Sequence, residues 1–392
     1  MDWTMWLWEI ARAIGWFFAN PLTYVIIGTA LLIGSKRVKQ ERKDFKTRLY
    51  PPLYDVLVSV GPGILYGLIV SVLIIVSGLF VPLEVLILAG LLWILFIVTG
   101  LLRFATPAHV LGLSLIAAYV VPLLWNPAGG FWGGVISSLE AADLRPVLVL
   151  TALLVLGEGL LLLRTKRHHT SPYLFKTPRG KWQGAHRLKR VWLLPAFILV
   201  PGDALQAAGW WPLFPIEGTS LSLLLFPFAA ALKLNITGSV PQEAVRRTGG
   251  KVLLWGLILA VAAGAGYFVD YPVYLASAAA AALLGREWIT WSQKRRETSS
   301  RPIYTVPDRG LRVAGILPYS PAEKMDIKPG EIITRVNGRT VTNENELYQA
   351  IQLNSAYSKI GVVDLNQELR YTQIAVYANE HYLLGLLLVK QE

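Results

Sequence analysis

The sequence predicts a polytopic α-helical membrane domain, with about eight or nine transmembrane helices, followed by a small α+β domain. Hydrophobic residues make up 54% of the 392 residues and charged residues only 16%, whereas soluble domains have about 25% charged residues. Apolar runs fill residues 1–292, but residues 302–392 have ordinary charge density and alternating patterns. Residues 293–301 between them are polar and basic, which is typical of a linker.

The apolar runs are the predicted membrane helices. A transmembrane helix needs about 20 apolar residues, because the hydrocarbon core is about 30 Å thick. We expect helices at nine runs, which cover residues 17–34, 61–80, 83–102, 109–125, 146–163, 191–210, 219–232, 252–269 and 271–288. Residues 3–19 are apolar and rich in Trp, and Asn20-Pro21 follows them, which favours a helix at the membrane surface. The alternative is that this segment also crosses the membrane, which would place the N-terminus inside the cell instead of outside.

The positions of Lys and Arg predict the orientation of the helices. Basic residues concentrate in segments 35–49, 164–190 and 233–251 and after residue 288, all of which the alternation of spans places on one side. Because basic loops stay in the cytoplasm, we expect a multi-pass protein of the plasma membrane whose second domain is cytoplasmic. These loops contact anionic membrane lipids, which accounts for the net charge of +12.

The basic residues could also serve a macromolecular partner. Nucleic-acid binding is not expected, since the chain has no basic folded module with interleaved aromatic residues. A docking site for a cytosolic partner at residues 36–48 stays open beside the orientation signal.

The second domain contains a series of short motifs. Ser-Pro-Ala at 320–322 begins a helix, Pro-Gly-Glu at 329–331 turns into a strand, Val-Asn-Gly at 336–338 forms a hairpin, and Asn343 caps a helix at 344–352. Strands are predicted at 360–365, 369–377 and 384–389. This order resembles a bacterial PDZ domain, although Met-Asp-Ile at 325–327 replaces the usual Ala-Gly-Leu.

The resemblance implies that the domain binds an extended peptide as an added strand beside a helix, with backbone N–H groups around a terminal carboxylate. By that resemblance, a loop and strand would supply Ile303, Tyr304, Thr305, Val306, Arg309, Gly310 and Leu311, and the helix would supply Leu347, Tyr348 and Ile351. For Leu311 and Ile351, a place in the core is an equally good interpretation.

Enzyme activity is not expected. The chain has no Cys, no His-Glu-x-x-His motif and no Gly-x-Ser-Gly motif, so thiol, zinc and rhomboid-type serine proteases are excluded. We expect no metal site and no cofactor.

Glu158 and Asp203 lie within predicted spans, where a carboxylate in the bilayer costs free energy, so both are possible intramembrane polar sites. We interpret both side chains as polar contacts between helices. A transport or proton path is the alternative, and aspartyl proteolysis would need a second buried Asp.

The whole chain resembles the MinJ family of cell-division topological determinants from Bacillus-type bacteria. The resemblance is carried by Phe-Phe-Ala-Asn-Pro-Leu at 17–22, Lys-Gln-Glu-Arg-Lys at 39–43, Pro-Tyr-Ser-Pro-Ala at 318–322 and Val-Asn-Gly. It implies a scaffold at poles and septum that links the MinC–MinD division inhibitor to a DivIVA-like polar scaffold. A MinD-like ATPase and other division proteins are the implied partners. Homo-oligomerisation is left open.

Two further hypotheses remain at this point. The same architecture would suit an adaptor or regulator of a separate protease, or a transporter with a regulatory PDZ domain.

Overall fold

The computed structural model describes residues 3–125, 127, 129–165, 169–205, 211, 220–269, 272–354, 357–375 and 383–390. The first part of the chain combines helices with a three-stranded sheet. In chain order its elements are α1 (Trp3–Ala19), α2 (Pro21–Phe45), α3 (Leu53–Ser77), α4 (Leu83–Val98), α5 (Pro107–Leu124), α6 (Gly130–Ala141), α7 (Arg145–Leu163), β1 (Ser171–Lys176), β2 (Trp182–Leu205), β3 (Leu221–Ile236), α8 (Pro241–Ala265) and α9 (Pro272–Ser299).

Several of these helices match the predicted spans. Within the described ranges, α3, α5, α7 and α8 are long and apolar enough to cross a membrane. Helices α1 and α2 meet at an angle of 55° and would make a fifth span if they act as one. The bend follows from Asn20, whose side chain accepts the Leu22 N–H at 3.0 Å and starts a new helix. Helix α4 is apolar but has only 16 residues. The expected number of eight or nine spans is not confirmed.

Two of the predicted transmembrane helices, 191–210 and 219–232, are strands. Residues up to 205 belong to β2 and those from 221 belong to β3, while 206–210 and 219 lie outside the described residues. The strands pair antiparallel from His186↔Ile236 to Pro201↔Leu221. We call β2 and β3 the buried hairpin.

The prediction is wrong because most of the paired residues are buried on both faces of the hairpin. The sequences of such strands do not alternate between polar and apolar residues, so they resemble the apolar run of a membrane helix.

The hairpin accommodates its central prolines at matched positions. A proline has no N–H to donate to a strand ladder. In the hairpin, Pro195 stands opposite Pro227. Pro195 and Pro227, neither of which can donate to the strand ladder, therefore share one position, and Pro201 lies opposite Leu221 at the register shift near the end of β2.

Helix α3 is shaped to lie against β2. A Cβ added to Gly63 would overlap the carbonyl oxygen of Leu193, and one added to Gly67 would overlap that of Pro195. One turn further on, the hydroxyl of Ser71 accepts a backbone N–H of β2 at 2.8 Å. Small residues at this spacing let a helix backbone contact a strand backbone directly.

The second part of the chain has the predicted α+β plan. Its elements are β4 (Leu311–Ile316), α10 (Pro321–Lys324), β5 (Ile332–Val336), β6 (Arg339–Thr340), α11 (Glu344–Gln352), β7 (Tyr357–Val363), β8 (Leu369–Ala375) and β9 (Leu386–Leu388). The sheet order is β8-β7-β5-β4-β9, and β6 pairs with β5. As predicted, Ser320 caps α10, Asn343 caps α11, and Asn337 and Gly338 form a turn with φ values of 49° and 84°. Residues 376 and 377 of the predicted strand lie outside the described residues.

The start of the predicted linker is helical, because α9 continues to Ser299. The buried carboxylate of Glu297 accepts the backbone N–H groups of Thr237 and Gly238, both at 3.0 Å, and the Ser239 hydroxyl at 2.7 Å. The end of α9 is thereby fixed to the turn that follows β3.

Candidate functional site

The first predicted groove residues, 303–306, connect the second domain to the buried hairpin. Tyr304 is fully buried, and its carbonyl oxygen accepts the N–H of Gly184 in β2 at 2.8 Å. The N–H of Ile303 donates to the carbonyl of Thr237 at 2.9 Å. These residues continue the sheet beyond the end of β3, so they hold the second domain against the buried hairpin.

Thr305 and Val306 belong to the same junction. Thr305 forms an antiparallel bridge with Gln183 of β2. Val306 packs against a small apolar cluster that includes Tyr304. The Nε of Arg312 also donates to the carbonyl of Thr305 at 3.3 Å, and burial lowers the pKa of this guanidinium.

The remaining predicted groove residues are divided between core and surface. Leu311, Leu347 and Ile351 are 2%, 0% and 5% exposed and meet in the core of the second domain. Gly310 (φ 84°) is buried where a Cβ would overlap a carbonyl oxygen of β5. Arg309 and Tyr348 are exposed. The contacts of Leu311 and Ile351 therefore agree with the core interpretation.

A cleft lies elsewhere, between β9 and the start of α11. Its volume is about 80 Å³. The walls are Glu344 of α11, Leu383, the three leucines of β9, Lys390 and residues 44–46 at the end of α2. Strand β9 ends the sheet order, so among the described strands only β4 pairs with it. We call this the β9 cleft.

The turn before β9 has an unusual backbone. Leu384 and Gly385 have φ values of 55° and 83°, and the N–H of Leu386 donates to the carbonyl of Leu383 at 3.0 Å. A Cβ on Gly385 would overlap the side chain of Ser320, so only glycine fits this left-handed position. Successive left-handed residues can turn backbone amides toward one anion.

Sequence reasoning missed this turn. The signal was present, because Leu-Leu-Gly-Leu at 383–386 places a glycine between apolar residues at the start of a strand.

The β9 cleft is lined by charges of both signs. Lys46 and Lys390 line it together with Asp44 and Glu344, and the carboxylate of Asp44 accepts the N–H of Leu174 at 2.9 Å. An apolar cleft beside an edge strand, lined by two lysines and preceded by a left-handed turn, has the chemistry to hold an extended chain that ends in a carboxylate.

Comparison with known proteins agrees with this architecture. A family model described as a PDZ domain matches residues 312–362, from β4 to β7. The whole chain is similar to the cell division topological determinant MinJ of Bacillus subtilis (strain 168), with 34% identity over 397 residues that cover 98% of this chain and 96% of that protein.

The chain belongs to the MinJ family. A second relative, named a probable cell division topological determinant MinJ, comes from Lacticaseibacillus paracasei and is 23% identical over 384 residues, which cover 95% of this chain and 97% of that protein. The resemblance of the whole sequence to this family, and that of the C-terminal part to a PDZ domain, are therefore confirmed.

The two acids singled out in the sequence of this MinJ-family chain lie apart. Glu158 of α7 is fully buried, and its Oε1 accepts a hydrogen bond from Nη2 of Arg286 in α9 at 2.6 Å. Asp203 is exposed in an irregular segment near the end of β2. The structure does not bring them together. The ion pair of Glu158 is a contact between helices, and sequence reasoning missed Arg286 as its partner.

Proposed function

We propose that this chain is a membrane-anchored, non-enzymatic adaptor of bacterial cell division. The observation that carries the proposal is the similarity to MinJ, which covers both the helical part and the PDZ domain. The architecture supports it, because helices able to cross a membrane are joined through buried contacts to a domain of a peptide-binding type.

The proposed partners are proteins of division-site placement. The chain would link a DivIVA-like polar scaffold to a MinD-like ATPase and, through it, to MinC, at the poles and the septum. The proposal places the PDZ domain in the cytoplasm. In support, the cations of α2 and of β2 lie at one end of the bundle, where residues 44–46 also contact the PDZ domain, and basic segments stay cytoplasmic.

We assign peptide binding to the β9 cleft. A partner peptide would pair with the outer edge of β9, and its terminal carboxylate would lie near the turn at 383–385. The end of α2 forms one wall. A peptide bound in the cleft would therefore contact a helix of the membrane part directly.

The test is the position of a fluorescent fusion in live rod-shaped cells. Full-length protein is compared with a truncation that lacks residues 300–392 and with a variant of the cleft turn, Gly385→Ala, which is matched to Gly338→Ala in an open turn. We expect septal and polar signal for the full chain and G338A, long cells on deletion, and weaker polar signal for G385A. An even membrane signal with normal cell length would contradict the adaptor function.

Two outcomes would instead favour a different function. Accumulation of an uncleaved membrane substrate on deletion would indicate an adaptor for a separate protease. Loss of solute flux in Glu158→Gln, with normal localisation, would indicate a transporter. The Glu158–Arg286 ion pair speaks against the latter, because it gives the buried acid a structural partner.

A further inference from the structure

A second cavity lies where the end of α2 meets β1 and β2. Its volume is about 450 Å³. Five cations line it that form no ion pair with any carboxylate in the described part of the chain: Lys36, Lys39, Lys43, Arg187 and Lys189. We call it the basic cavity.

The acids nearest to the basic cavity are engaged by other donors. Arg37 donates to Glu41 at 2.8 Å and to Asp55 at 2.9 Å. The carboxylate of Asp44 accepts the side-chain amide of Gln40 and a backbone N–H of β1, both at 2.9 Å. The surplus positive charge therefore has no internal counter-ion among these acids.

The register of the buried hairpin increases this surplus. Lys189 stands directly opposite Lys233 in the β2–β3 pair, and like charges at opposite positions of a strand pair destabilise it. Burial lowers the pKa of Lys189, and the positive charges of Lys233, Lys36 and Arg187 lower it further. A bound anion would remove this repulsion.

The cavity also borders the apolar surface of α2. Ile33 forms part of its wall. One turn before Lys36, Leu31 and Leu32 are 39% and 60% exposed, on a helix whose preceding residues are apolar. A ligand that fills the cavity can therefore combine an anionic group with an apolar tail.

We propose that the basic cavity binds the phosphate headgroup of an anionic phospholipid, with the acyl chains along the exposed leucines of α2. Basic pockets at the cytoplasmic ends of membrane helices are suited to such headgroups. The cavity is separate from the β9 cleft and its proposal does not depend on the adaptor function.

The test uses the full-length protein in nanodiscs of phosphatidylcholine, with or without phosphatidylglycerol. The variant K36Q/K189Q removes two cations of the cavity. The control K294Q/R296Q removes the same charge from exposed positions of α9. Retained lipid is measured by native mass spectrometry, and affinity by the rise in Tm as phosphatidylglycerol is titrated.

We expect phosphatidylglycerol to bind the wild type and the control with equal affinity. Its affinity for K36Q/K189Q should be about 30-fold lower, because each cation near the membrane surface contributes about a five-fold factor to the affinity for an anionic lipid. In pure phosphatidylcholine, K36Q/K189Q should be at least as stable as wild type, because repulsion is relieved. A merely structural role of the two lysines predicts a lower Tm in both lipids.

Three results would overturn the proposal. They are equal binding of phosphatidylglycerol by K36Q/K189Q and wild type, an equal loss in K294Q/R296Q, or stabilisation by inorganic phosphate that matches that by phosphatidylglycerol. The last result would assign the cavity to a soluble phosphate.

Discussion

The turn that begins β9 offers a sharp test of the PDZ fold, through two glycines with nearly equal backbone angles. Gly385 has φ 83° and Gly338 has φ 84°. A Cβ on Gly338 would meet open space, whereas one on Gly385 would overlap the side chain of Ser320. The pair therefore separates the cost of the left-handed backbone from the cost of the close approach.

The expected magnitudes follow from this difference. Alanine in a left-handed conformation costs about 1 kcal/mol. The overlap in G385A adds about 1–3 kcal/mol, because neither the capped start of α10 nor the turn can move freely. The carbonyl of Gly385 is held by the N–H of Leu317 at 2.8 Å. We expect a loss of about 3 kcal/mol for G385A and about 1 kcal/mol for G338A.

Hydrogen exchange on the full-length protein measures both losses. Each 1.4 kcal/mol speeds exchange through domain opening about ten-fold. The amides of β4 should therefore exchange about 100-fold faster in G385A and less than ten-fold faster in G338A. Equal acceleration in the two variants, or none in G385A, would refute the assigned packing of the turn.

Three further variants and one control test other contacts. Glu158→Gln leaves Arg286 buried without its carboxylate, which should cost about 3–5 kcal/mol and lower Tm in detergent, whereas exposed Asp203→Asn should change stability by less than about 0.5 kcal/mol. Tyr304→Ala should lose about 3–5 kcal/mol of docking energy and speed limited proteolysis near residue 302. Asn337→Ala removes side-chain hydrogen bonds to α11 and β7, at 2.9 and 2.8 Å, and should speed exchange in α11 through a loss of about 2 kcal/mol.

Much of the fold could be predicted because local chemistry agrees with it. In the PDZ domain, Ser320, Asn343 and the Asn337-Gly338 turn have the caps and left-handed angles that their residue types favour. In the bundle, long apolar runs became α3, α5, α7 and α8.

The buried hairpin could not be recognised from its hydropathy. With most of its residues buried, β2 shows no alternation, and its length is that of a membrane helix. Pro195 in mid-run is compatible with a kinked membrane helix as well as with a strand. The better signal lay in its partner, α3, where Gly63 and Gly67 leave room for another backbone.

The strand of the peptide groove stays a prediction, but the strand that pairs beside β4 could not be identified from sequence, for a topological reason. A strand that pairs beside β4 had to be chosen from sequence, and residues 303–306 were the nearest candidate. In the structure that place belongs to β9, from the end of the chain. Tyr304 docks on β2, a contact that no spacing within the PDZ domain reveals.

The proposed role of the chain in positioning the Min system is best tested on the MinD-like ATPase itself. A fluorescent MinD-like ATPase is imaged in rod-shaped cells with the chain present, deleted, and restored in trans. We expect the ATPase to gather at poles and septa with the chain, to spread along the membrane without it, and to return on restoration. An ATPase that stays at poles and septa in the deletion strain would contradict it.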